Sequence, residues 1–167
     1  MAAAIVVALG ALAGMVLLVA HIRSDESDVG RLAFGSATPA AAPFQDFAQA
    51  RVALGSRCIR VLVATTANQR VQGLRAVRSL GPYAGMLFAY PGDSTARFTM
   101  ADTPMPLDIT FFSARGAPVD DVAMVPCPHG TDATCPVYES RHPYRYALER
   151  PAGGSSTGSG PLGPCSA

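Results

Sequence analysis

The sequence predicts an α+β, mainly β fold: a small, antiparallel, strand-rich and barrel-like domain with one principal helix, preceded by an N-terminal membrane helix. Three observations predict it. Short β-branched runs recur between Gly- and Pro-containing turns, as in Cys58–Ala64, Met86–Tyr90 and Leu107–Phe112. Only one stretch carries a good helix start, where Thr66 is followed three residues later by Gln69 in capping-box spacing. Ala2–Ala20 is a run of nineteen uncharged residues. At 1.5 Å per residue it spans about 28 Å as a helix, close to a bilayer core.

Taken in order, residues 1–21 read as a membrane anchor or a signal segment, whose small residues near Ala20 match an A-x-A cleavage site poorly. No Arg or Lys precedes the run, and Arg23 follows it, so charge bias alone is a weak guide to orientation. Residues 22–55 read as a tether: a polar stretch, then the small-residue, Pro-containing Gly35–Pro43, then Phe44–Leu54 as a short amphipathic helix or entry segment. The globular domain is expected over 56–152. It opens with strand Cys58–Ala64, and the capped helix runs from Thr66 to near Leu80-Gly81-Pro82. Strands follow at Met86–Tyr90 and Arg97–Met100. Thr103-Pro-Met-Pro106 must be extended or turning. Leu107–Phe112 and Val119–Val125 form a hairpin about Ala114-Arg-Gly116, and Tyr144–Glu149 is the last strand. Residues 153–167, rich in Gly, Ser and Pro, read as a disordered tail.

Composition narrows the function. The 167 residues hold 13 basic side chains, all Arg, against 12 acidic ones, a net charge of +1. That balance argues against a nucleic-acid partner, and a hydrophobic content of 49% argues against an acidic disordered chain. Four cysteines behind an export-type segment indicate disulfides in an oxidising compartment. Cys127 and Cys135 flank a short polar loop and are the favoured pair. Cys58–Cys165 requires the tail to fold back.

Each candidate chemical group has a plain structural counterpart. Asp108 lies in an otherwise apolar strand, so its carboxylate must reach water or a partner. It is either an acid/base or ligand-anchoring group with Arg70 as candidate partner, or a structural ion pair or capping carboxylate that fixes the Thr103–Pro106 loop. Asp102 and Asp108 form a candidate acid pair of the kind hydrolases use. Cys127, His129, Cys135 and His142 offer two sulfurs and two imidazoles, but their spacing does not match the usual zinc patterns. No G-x-S-x-G, Walker loop, dinucleotide fingerprint or H-E-x-x-H is present.

Ordered local patterns then carry a resemblance. They are VLVATT from Val61, Arg70-x-x-Gly73-Leu74, Gly85-Met86-Leu87-Phe88, Phe98-x-Met100 with Thr103, Pro106-Leu107-Asp108-Ile109-x-Phe111, Pro126-Cys127, Cys135-Pro136-x-Tyr138 and Tyr146-x-Leu148-Glu149. Over about residues 57–153 the chain resembles the domain of unknown function 192 family, also called the uncharacterised ACR family. The resemblance implies a small strand-rich domain, often exported or membrane-tethered, without an established activity. The chain departs from that pattern at Gln69 (usually Glu), at Arg75 (usually Met), and at Thr99, Ala101 and Asp102 (usually Trp, Lys and Asn). The family's terminal Gly-containing strand also has no counterpart.

The leading expectation is a non-enzymatic domain held outside the cytoplasm by the membrane, or secreted. It would bind a small molecule or an envelope protein through Arg70, Asp102, Thr103 and Asp108, without metal or cofactor. A hydrolase or lyase on Asp102 and Asp108 is the first alternative, and a metal-binding module is the second.

Overall fold

A computed structural model describes residues 37–153 and 160–165. The membrane segment and the start of the tether lie outside these residues. Among those described, no helix is long and apolar enough to cross a membrane.

The chain forms a strand-rich α+β domain with one short helix. Its elements are β1 (Thr38–Pro39), β2 (Ala48–Leu54), β3 (Arg57–Ala64), α1 (Ala67–Gln72), β4 (Gly85–Ser94), β5 (Phe98–Thr99), β6 (Leu107–Phe112), β7 (Pro118–Met124), β8 (Val137–Tyr138), β9 (Tyr144–Pro151) and β10 (Leu162–Pro164). The main sheet runs β1-β2-β3-β4-β9-β6-β7, β10 adds to β2, and β5 pairs β8 in a second small sheet. β3 and β4 are parallel, joined through α1 as a β-α-β crossover, and the other ladders are antiparallel. The sheet is open rather than a closed barrel, for no ladder joins β7 to β1 among the described residues.

Alternation along the central strands buries both faces. Val61 and Val63 of β3 with Leu87 and Leu148 fill one side, while Leu62, Met86, Phe88, Ile109 and Phe111 fill the other. On the second side Phe98 stacks edge-on against Phe88 at 5.1 Å and Phe111 at 5.8 Å, and Phe111 meets Tyr144 at 4.8 Å.

Four expectations are corrected. Phe44–Leu54 is neither tether nor helix: Ala50, Val52 and Leu54 alternate into the core, and β2 pairs β3 over seven residues. The segment before it also belongs to the domain, for the Tyr83 hydroxyl accepts from Ala41 N and donates to Gln49 Oε1, each at 3.2 Å. The helix forms its capping box, but it ends at Gln72 because Gly73 turns to φ +48°. Tight turns carry Leu74 and Leu80 into the core instead.

The tail, finally, is not wholly irregular. β10 pairs β2, Gly55 N donates to Pro161 O, and Leu162 N donates to Gly116 O, each at 2.8 Å. Gly116 has φ +76°, and a Cβ there would lie 1.9 Å from Leu162 O. Cys58–Cys165 fastens this clasp, and Cys127–Cys135 closes the other loop. The apolar Leu162 and the cysteine beside it supply the burial and the covalent anchor that the surrounding Gly and Ser residues lack.

Candidate functional site

The buried side beneath α1 is not completely filled. A cavity of about 570 Å³ opens there, within the range of small-molecule sites. Its floor is sheet: Phe88 and Tyr90 of β4 and Glu149 of β9 share one face, since Met86 pairs Glu149 and Phe88 pairs Ala147. One wall is α1 and the turn after it, with Arg70, Gly73 and Arg75. The opposite wall is Arg97 and Phe98, and Asp132 and Val137 come from the disulfide-closed loop and β8. Gly73 sits over the Phe88 ring, where a Cβ would approach to 3.5 Å.

The polar groups are differently provided for. Arg70 Nη1 donates to the carbonyls of Thr65 and Ala89, and its guanidinium lies 4.8 Å from the centre of the Tyr90 ring. Arg75 bonds Asp132 at 2.6 Å, and the Thr99 hydroxyl donates to the same carboxylate oxygen at 2.6 Å. These two bonds hold the Asp132 carboxyl below the usual carboxylate range. Arg75 and Thr99 are both positions where the chain departs from the pattern it resembles. Arg97 is exposed and makes no hydrogen bond or ion pair with a described residue.

Glu149 is the unusual member. It is 4% exposed, lines the cavity, and receives no hydrogen bond from any described residue. Its cross-strand neighbours are Met86 and Ile109. Burial pushes its carboxyl up from 4.5 to about 8. At neutral pH the cavity therefore contains a largely protonated acid, a kind of perturbed group that concentrates at functional sites.

Of the residues expected to bind ligand, Arg70 and Thr103 line the cavity. Asp102 does not. It takes φ +54° and offers its carbonyl to Ala76 N at 2.7 Å. Asp108 does not either, for it alternates with Leu107 and Ile109, and its Oδ2 accepts from Gly153 N at 3.2 Å. The carboxylate thus bonds the backbone after β9 rather than the Thr103–Pro106 loop it was expected to fix. Cys127 and Cys135 are bonded to each other, which leaves no thiolate for the zinc set. Among the described residues no group of three or more His, Cys, Asp or Glu could hold a metal ion. The residue that sequence reasoning passed over is Glu149, though Ala147 and Glu149 fall two apart on one strand face.

This is a strand-rich α+β domain built around a ligand-sized cavity with one buried acid. A family model, DUF192 (Uncharacterized ACR), matches residues 50–158, and the chain belongs to that family. Two solved structures are similar to it. One is a protein of unknown function from Novosphingobium aromaticivorans, 25% identical, with a TM-score of 0.59, covering 72% of this chain and 86% of that one. The other, from Sinorhizobium meliloti, is described as a "putative transcription regulator"; it is 28% identical, with a TM-score of 0.56, covering 68% of this chain and 88% of that one. No curated protein matches.

Proposed function

We propose that the chain is an extracytoplasmic binding domain, tethered by its N-terminal apolar segment, that holds a small polar molecule in the cavity beneath α1. The observation that carries this reading is the Glu149 carboxyl, which accepts no hydrogen bond from a described residue and opens on a space of about 570 Å³. Burying such a group with nothing to bond is costly, and a ligand offers the missing partner. Two disulfides favour an oxidising, extracytoplasmic setting. The nineteen uncharged residues from Ala2 to Ala20 favour attachment to a membrane.

Two other readings have less support. A hydrolase or lyase on Asp102 and Asp108 lacks a shared site, because neither residue lines the cavity. A role on nucleic acid, as the name of the Sinorhizobium meliloti protein invites, meets a net charge of +1.

The test is a thermal-shift screen of polar metabolites against the wild type and Arg97→Ala. Compounds that raise the wild-type melting temperature and act less on the variant support the reading. Stabilisers indifferent to Arg97, together with turnover abolished by Asp108→Asn, favour the enzyme instead.

A further inference from the structure

The cavity is polarised. At its floor Glu149 faces the space between apolar strand neighbours, with no cation or donor of its own. Towards solvent stand Arg97, which has no ion pair with a described residue, and Arg70, whose hydrogen bonds to the Thr65 and Ala89 carbonyls use Nη1 alone. Arg75 is engaged by Asp132 and drops out of this count. The rings of Phe88 and Phe98, edge-on to each other at 5.1 Å, line the same cavity. A simple anion would engage the arginines but could meet Glu149 only in its protonated form, leaving no partner for a carboxylate there. A simple amine would do the reverse.

We propose that the cavity takes a small zwitterion of the amino-acid type, its primary ammonium on the Glu149 carboxylate and its carboxylate on Arg97 and Arg70. The carbon skeleton packs on Phe88 and Phe98. This rests on the small-molecule reading of the same cavity and adds the chemical class of the ligand.

One consequence is specific. In the free protein burial pushes the Glu149 carboxyl to about 8, so it is mostly protonated at pH 7. An ammonium group docks on the carboxylate form, so binding expels that proton to solvent: Glu149-COOH and R-NH₃⁺ give the ion pair and one H⁺. Most of a proton is released per ligand at pH 7, and the release fades as pH rises past the carboxyl's raised value. A ligand that merely accepts a hydrogen bond from the acid releases none.

The experiment is titration calorimetry on the full chain in detergent with both disulfides formed. Probes are the ω-amino acids from glycine to 6-aminohexanoate, each beside the matching alkylamine and alkyl carboxylate, in two buffers of different ionisation enthalpy. At least one amino acid should bind ten-fold or more tightly than either one-ended counterpart and release a proton at pH 7. Arg97→Ala should reduce it to the level of the alkylamine, and Glu149→Gln should remove both the amine preference and the proton. Carboxylates binding as well as amino acids, no proton release, or no binding across the series overturns the zwitterion. If the broader screen still finds cavity ligands after that result, the small-molecule reading survives. If it finds none, both fall.

Discussion

Replacing Glu149 by Gln should stabilise the unliganded protein, by an amount that grows with pH. The side chains are nearly the same size, so packing changes little. The carboxyl moves from 4.5 to about 8 on folding. Between those values the folded chain holds about one proton more than the unfolded chain, so stability falls as pH rises through this window. At about 1.36 kcal/mol per pH unit, the loss is about 3 kcal/mol at pH 7 and approaches about 5 kcal/mol at pH 9, both upper bounds. Gln carries no such penalty. Guanidinium unfolding of both proteins at pH 4, 7 and 9 should show similar midpoints at pH 4 and a widening gap above it. Tyr90 and Tyr144 are pushed up from 10.0 by burial, so neither interferes below pH 9. Midpoints that stay parallel from pH 4 to 9 would refute the claim that Glu149 is buried and uncompensated.

Three further outcomes can be checked. Cys58→Ser with Cys165→Ser opens a link between residues 107 apart in sequence. It should lower unfolding stability by about 5 kcal/mol in the chain-entropy model, read as a drop in the urea midpoint. Asp120 accepts from both the backbone and the guanidinium of Arg141, which holds its carboxyl well below the usual range. Its contribution is present above about pH 4 and is lost as pH falls through the depressed value, so Asp120→Asn should flatten the acid limb of the melting-temperature profile. Gly116→Ala places a Cβ against Leu162 O at a positive φ and should cost more than about 1 kcal/mol, with faster amide exchange at Leu162.

The strands were legible where apolar residues alternate on a β-branched background. β3, β6 and β9 lie within a residue or two of where the pattern put them. β2 was not legible, because Ala48–Leu54 is, Val52 apart, made of Ala, Gln, Arg and Leu, which favour a helix locally. Pairing with β3 on one side and β10 on the other overrides that preference. The helix was read too long because Val71, Leu74, Val77 and Leu80 keep helical spacing past its end, while Gly73 has already broken the backbone. The site was half legible. Arg70 and Thr103 were found by motif. Glu149 carries no local mark of burial and becomes a floor residue only when β4 and β6 flank β9 and α1 covers it.

The clasp formed by β10 has a consequence for biogenesis. The second strand of the sheet receives its outer partner from residues 162–164, and the covalent lock needs Cys165. Leu162 also fills part of the core that β2, β3 and β4 build near the other end of the chain. A chain emerging N-terminus first thus carries β2 with an open edge, and with a gap in its packing, until more than a hundred further residues have followed. Folding is complete only once residues 162–165 have followed and the cysteines are oxidised, so the half-made sheet needs shielding from edge-to-edge pairing until then.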